Sequence, residues 1–483
     1  MAEAIGRSLV ASADAEAGRP VGDLEISRAW LVDPASGREG PGDLVVEDGI
    51  VRNLVWLDGA DAAGVDPTGV IVAPGFIDLH AHFREPGFED AETVASGSAA
   101  AAHGGFTTVC LMPNTSPAID EASVLARVRS AAERSGSPIE VLAYGAVSVG
   151  RGGETLAALG ELADGGAIGF SDDGAPIRSA AILRSALVYA GMLRRPIVDH
   201  PEDPILTDGA EANEGLVATV LGLKGWPVAA EASAVARDLA ILADALADEP
   251  RARLHLTHLS TAAALDLVRH AKAARLPVTC DVTPHHLALT DEWIAGARRW
   301  AWEALDGDGG ALSPWADGVL TAAPYDPSLR VNPPLRSAPD AAAVLAALVD
   351  GTADAIATDH APHTKVDKES EFGLAANGIS GIETALGLVL AAVDAGRLPL
   401  GRAIAALTSG PASVLGASGW SGSRGLVEGA TADLVVFDRS ASWRVESTSL
   451  SSRGKNSPLL GRELAGRVLL TVAGGRIAYE AAD

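Results

Sequence analysis

Between residues 76 and 423, short apolar runs alternate with Ala-rich stretches of helical character, and this alternation constrains the fold more than any other feature of the chain. The runs are FIDLHAH, FTTVCLM, IEVLAYGAV, AIGFSD, PIVDH, RLHLTH, PVTCDV and ADAIATD, eight in all. Strands alternating with helices imply a parallel α/β arrangement, because a parallel neighbour needs a crossover to carry the chain back. Eight such units favour a closed (β/α)8 TIM-type barrel over an open doubly wound sheet. In such a barrel the chemistry gathers at the C-terminal strand ends.

The flanks read differently. From Asp23 to Trp56 short alternating runs are broken by Gly and Pro, and the same texture returns only in ADLVVFD (432–438), SWRVE and GRVLLTVAGGRIAYE (466–480). Period-two patterning of this kind indicates antiparallel strands. The expected organisation is a flexible N-terminal extension over 1–22, a small β-sandwich-like domain built from 23–75 plus 424–483, and a catalytic barrel over 76–423. The barrel carries an insertion around 291–330, where Trp293, Trp300, Trp302 and Trp315 suggest an extra surface helix burying aromatics, or a lid or oligomer contact. A length of 483 residues suits a large barrel with a satellite domain.

The net charge of −26 argues against nucleic-acid or anionic-membrane partners, and it means that an anionic substrate needs local cations. No window approaches about 18 uninterrupted apolar residues, and the N-terminus, with Glu3, does not resemble a signal peptide. Cys110 and Cys280 lie far apart in apolar runs, so buried free thiols and a reducing cytoplasm are expected.

The strand ends supply a constellation. Strand one ends in His80, His82 and, if it extends that far, Arg84; alternation puts Asp78, His80 and His82 on one side. Strand two ends in Met112-Pro113-Asn114-Thr115, strand four in Ser171-Asp172-Asp173-Gly174, strand five in Asp199-His200-Pro201-Glu202, strand six in Thr257-His258, and strand eight in Thr358-Asp359-His360 followed by His363. Four imidazoles and two carboxylates on one rim form an N/O site suited to Zn2+ or a similar divalent ion. Other histidines read as structural: His255 should face the opposite way, toward a helix, and His103 and His270 sit at helix ends. His285, His286 and His360 lie beside the rim.

Together HAHFREPG, MPNT, FSDDG, DHPED, THLST, VTPHHL, VNPPLR and ATDHAPH resemble the class I bacterial dihydroorotases of the amidohydrolase superfamily, over most of residues 70 to 480. The resemblance implies that His80, His82 and Asp359 hold one metal, that His200 and His258 hold a second, and that Asp173 bridges them. It implies Zn2+, at two sites per subunit or at one. It implies that Arg84, Asn114, Asn332 and His363 bind the substrate's carboxylate and ring, and that Asp359 is the catalytic acid–base group. The implied reaction is the reversible cyclisation of N-carbamoyl-L-aspartate to L-dihydroorotate in de novo pyrimidine biosynthesis. A homodimer and association with aspartate carbamoyltransferase are implied as well.

Hydantoinases, dihydropyrimidinases and allantoinases are the neighbouring alternative, and they commonly bridge their metals with a carboxylated lysine at strand four. No lysine precedes Lys224, and FSDDG offers a carboxylate at that place. Arg84 has no obvious use on a neutral hydantoin. A non-catalytic scaffold for the carbamoyltransferase is the third reading, disfavoured because all six ligands are kept.

Overall fold

The computed structural model describes residues 17–136, 139–305, 310–422 and 425–482. The strands form where the apolar runs lie. β1 (Leu24–Asp33), β2 (Arg38–Glu47), β3 (Ile50–Trp56) and β4 (Val70–Pro74) precede the barrel. The barrel strands are β5 (Phe76–Ala81), β6 (Phe106–Leu111), β7 (Glu140–Ala143), β8 (Ile197–Asp199), β9 (Leu254–Leu256), β10 (Val278–Val282) and β11 (Ala355–Ile356). The fourth of the eight runs contributes Phe170, bridged in parallel to Gly145 on one side and to Ile197 on the other.

These contacts close a ring. β5 pairs with β6 and β6 with β7; Phe170 carries the ring to β8; β8, β9, β10 and β11 pair in turn; and His360, just after β11, bridges back to Ala81 of β5. All of these pairings are parallel, as helical crossovers such as Val94–His103 and Ala262–Ala273 require. A closed parallel barrel has no free edge, and its eight strand ends converge on one mouth.

The last strands, β12 (Leu434–Arg444), β13 (Glu463–Ala473) and β14 (Arg476–Glu480), join the first four in one seven-stranded sheet of order β14-β13-β12-β4-β1-β2-β3. ADLVVFD and SWRVE are one continuous strand with an irregularity between Asp438 and Ser442. The sheet curls on itself. Leu44 and Val51 near one edge share a buried cluster with Leu470 and Ile477 near the other, and a Cβ at Gly49 would meet the Gly475 carbonyl oxygen at 2.8 Å. That shared apolar interior gives the domain its sandwich-like character.

Of the expected extension, residues 1–16 lie outside the described residues. Gly18 and Val21 donate backbone hydrogen bonds to Ile477 and Gly475, and Val21 is buried, so the chain just before β1 is already part of this sheet. The insertion holds no long helix among its described residues, which exclude 306–309. It has a four-residue helix, Glu292–Ala295, and short 3-10 turns at Ala301–Ala304 and Pro327–Leu329. Trp293 is fully buried, Trp300 stacks on Trp302 at 5.8 Å, and Arg462, from the loop before β13, covers Trp293 and Trp300 at 5.0 and 4.3 Å. The tryptophans thus fasten the insertion to the small domain through cation–π contacts.

Candidate active site

β5 ends at Ala81, so His80 is on the strand, His82 follows it directly, and Arg84 is beyond it with φ +62°. The expectation that Arg84 could continue the strand's alternation fails, because the backbone turns into the left-handed region there. His258 (φ +41°) and Asp359 (φ +46°) share this conformation. Non-glycine residues rarely adopt it, and such positions concentrate at functional sites.

The four imidazoles and two carboxylates come together. His80 Nε2 and His82 Nε2 lie 3.2 Å apart. Asp359 Oδ1 is 3.0 Å from His82 Nε2 and 3.5 Å from His80 Nε2. Across the mouth His200 Nδ1 and His258 Nε2 are 2.9 Å apart. Asp173 spans the two halves: Oδ2 is 3.1 Å from His80 Nε2, while Oδ1 is 3.5 Å from both His200 Nδ1 and His258 Nε2. All six side chains are buried. The groups His80–His82–Asp359 and His80–Asp173–His258 each offer ligand atoms within 4.8 Å of one another.

This donor set fits divalent cations. Ring nitrogens facing one another around carboxylates, with Asp173 Oδ1 lacking any hydrogen-bond partner, leave lone pairs that a shared cation would satisfy. The far nitrogens of three rings are engaged. His80 Nδ1 is 2.6 Å from the Thr257 hydroxyl, which itself lies 3.2 Å from Asp281 Oδ2; His82 Nδ1 is 2.9 Å from Asn114 Oδ1; and His200 Nε2 is 2.9 Å from Glu202 Oε2. Such contacts orient ligating imidazoles and fix their tautomers.

Electrostatics follow from the packing. Burial raises the pKa of Asp173, but the His80 charge and the close approach of the His200 and His258 rings outweigh it and hold the carboxyl well below the usual range. Asp359 is depressed in the same way: burial opposes, and His80 and His82 prevail. Burial works against the charged form of His80, yet Asp173 and Asp359 bring it to about 9; for His200, Asp173 and Glu202 overcome burial and bring it to about 10.

The expected substrate contacts surround the cluster. Arg84 Nη2 lies 3.2 Å from His363 Nε2, and its Nε donates to the Pro362 carbonyl. Burial and the adjacent Arg84 pull His363 down to about 3, so it is neutral. Asn114 stands against His82, and Asn332 on the opposite side donates to Glu202 Oε2 at 2.9 Å. Arg84 and His363 are thus in mutual contact, while Asn114 stands on the His82 side of the cluster and Asn332 on the His200 side.

A family model described as dihydro-orotase-like matches residues 69–263. The dihydroorotase of Anaeromyxobacter dehalogenans (strain 2CP-1) is 45% identical over 459 residues, covering 95% of this chain and 98% of its own; that of Pelotomaculum thermopropionicum is 42% identical with the same coverage of both chains. The chain belongs to the dihydroorotase family. Among solved structures, the L-hydantoinase (dihydropyrimidinase) from Arthrobacter aurescens is 24% identical and aligns with a TM-score of 0.76 over 96% of this chain and 97% of its own. The D-hydantoinase from Thermus sp. aligns at 0.70 with 22% identity. These likenesses share the fold, a barrel with a β-sandwich domain.

Within this family member, reasoning from sequence overlooked three groups around the site. Glu202, two residues after His200, braces both His200 and Asn332. Thr257, next to His258, and Asp281, at the end of the PVTCDV run, form a relay under the cluster: Asp281 Oδ1 accepts the His258 amide at 2.6 Å and Oδ2 lies 2.9 Å from His255 Nε2. His255 therefore does not pack toward a helix. Its strand partner is Thr279, whose hydroxyl lies 2.8 Å from Nδ1, and the paired strand β10 supplies both contacts. His360, beside Asp359, has Nε2 3.5 Å from buried Glu92. His286 contacts Thr283 and the Pro333 carbonyl.

Proposed function

We propose that the protein catalyses the reversible cyclisation of N-carbamoyl-L-aspartate to L-dihydroorotate, the dihydroorotase reaction of de novo pyrimidine biosynthesis. The observation that carries this reading is the bridging position of Asp173. A genetically encoded carboxylate touches both halves of the cluster at the strand-four end, where a carboxylated lysine would otherwise be needed.

In this reading His80, His82 and Asp359 hold one ion, His200 and His258 a second, and Asp173 both. Zn2+ at two sites per subunit is the proposed loading. Bound ions would supply Lewis acidity to the amide carbonyl and lower the pKa of a water. The chain's own groups do the rest. Asp359, ionised at working pH, accepts the proton of the attacking water and returns it to the ring nitrogen as the C–N bond breaks. In ring closure the order reverses: it takes the ureido proton as that nitrogen adds to the side-chain carboxyl carbon, and returns it to the oxygen that leaves as water when the C–O bond breaks. Arg84 offers a planar carboxylate two N–H donors against an otherwise acidic chain, and neutral His363 beside it adds no competing charge. Asn114 presents its amide nitrogen while its oxygen holds His82. Asn332 is positioned by Glu202.

Family resemblance also supports a homodimer and association with aspartate carbamoyltransferase, testable by sedimentation of the purified chain with and without the transferase. No helix among the described residues is long and apolar enough to cross a membrane. The buried free thiols Cys110 and Cys280 are in keeping with a cytoplasmic location.

The test is one assay in parallel: metal-quantified protein on dihydroorotate, dihydrouracil, hydantoin and allantoin. Turnover of dihydroorotate alone is expected. Turnover only of a neutral ring overturns the reading.

A further inference from the structure

We propose that Arg151 is a second substrate-binding cation, sharing with Asn114 the carboxylate of the substrate; this rests on the dihydroorotase reading above. Arg151 is outside the strand-end motifs. It lies on the loop after β7, and that loop is fastened to the end of the fourth run. The Asp172 carboxylate accepts the backbone amides of Val147 and Ser148 at 3.0 Å each and the Ser148 hydroxyl, and the Asp172 carbonyl accepts Arg151 Nε at 3.2 Å. Asp172, the neighbour of the bridging carboxylate, thus aims a guanidinium along the wall of the mouth.

Where that guanidinium points is given by Gly174. A Cβ built there would lie 2.8 Å from Asn114 Nδ2 and 3.1 Å from Arg151 Nη2. Two hydrogen-bond donors on different strands' loops therefore pack against the same glycine (φ +83°), near enough to each other to share one ligand, and any side chain at residue 174 would crowd both. Asn114 spends its oxygen on His82, leaving the nitrogen. Arg151 makes one side-chain hydrogen bond, through Nε, and among the described residues no carboxylate comes within 4.0 Å of it. It is half-buried.

Convergent donors without an acceptor, one of them a cation, fit an anionic oxygen pair from outside the chain. The need is physical as well. The site already carries Asp173 and Asp359, and N-carbamoyl-L-aspartate brings two further carboxylates to a chain of net charge −26. Arg84 answers this from the His363 side, and Arg151 answers it from the Asn114 side.

The experiment compares wild type, Arg151→Gln and Arg151→Lys, each with metal content and melting temperature measured, in both reaction directions. The expected result is a rise of about tenfold in KM for dihydroorotate and for N-carbamoyl-L-aspartate in Arg151→Gln, equal to about 1.4 kcal/mol of binding. The kcat should fall less than threefold, metal content should not change, and Arg151→Lys should recover part of the KM. Unchanged KM overturns the proposal. So does a joint loss of metal and kcat, which would make Arg151 only a brace for the Asp172–Gly174 turn. Failure of the wild-type chain to turn over dihydroorotate would instead remove the functional reading beneath it.

Discussion

Glu202 Oε2 stands 2.9 Å from His200 Nε2 and 2.9 Å from Asn332 Nδ2. One carboxylate therefore ties a candidate metal ligand to a candidate substrate contact. Glu202→Ala should weaken metal retention about 10- to 100-fold, the usual effect of removing the partner behind a ligating imidazole. Competition with a chromogenic chelator measures it. KM should rise in the same variant, since Asn332 loses its anchor; wild-type metal affinity in Glu202→Ala would refute the role.

Asp359→Asn should lower kcat by about 10²- to 10⁴-fold, because the amide cannot accept the proton from water. The fold should persist: His82 loses a contact, but the ring closure between Ala81 and His360 is made by backbone. Circular dichroism and single-turnover assays check both halves, and a variant retaining near-wild-type rate would exclude Asp359 as the acid–base group.

Metal uptake should depend on pH. In the metal-free chain, opposing the effect of burial, Asp173 and Asp359 raise His80 to about 9, and Asp173 and Glu202 raise His200 to about 10, both above the ordinary 6.5. Their contribution to metal-free stability is complete below about 6.5 and lost as pH rises through 9 to 10. Metal affinity runs the other way, because each imidazole must give up its proton to ligate. Titration calorimetry at pH 7 in buffers of different ionisation enthalpy should detect proton release. Uptake without release would contradict the assigned ligands.

Lys368 Nζ donates to the backbone carbonyls of Arg330, Ala376 and Gly378 at 3.2, 2.8 and 3.0 Å, and its side chain is buried. It joins the segment leading to Asn332 with the loop behind His363. Burial pulls its ammonium down to about 7. Lys368→Met would leave these carbonyls without their donor and should cost about 2–4 kcal/mol, read as a lower denaturant midpoint. No change in midpoint would show that water replaces the ammonium without loss.

Much of the barrel was legible in the chain. Each of the eight apolar runs lies where a barrel strand or the Phe170 bridge forms, because a buried parallel strand requires a continuous apolar stretch and a crossover after it. The small domain was legible from period-two alternation at both ends. The insertion was not: its tryptophans suggested a helix, but Trp293 and Trp300 are used against Arg298 and Arg462, the latter more than 160 residues away, which no local pattern encodes.

What the sequence by itself determined was the inventory: which side chains end each strand, and hence an N/O donor set beside a carboxylate in place of a lysine. Tertiary structure decided how that inventory is used. Asp172 and Asp173 are adjacent and chemically identical, yet one grips the backbone of the loop carrying Arg151 while the other reaches both pairs of imidazoles. Likewise His255 and His258 are three residues apart, and only barrel closure turns one toward Asp281 and the other into the mouth. The reason is geometric: these roles are set by contacts between strand ends distant in sequence, and the backbone turns at Arg84, His258 and Asp359 leave the strand alternation that a sequence can display.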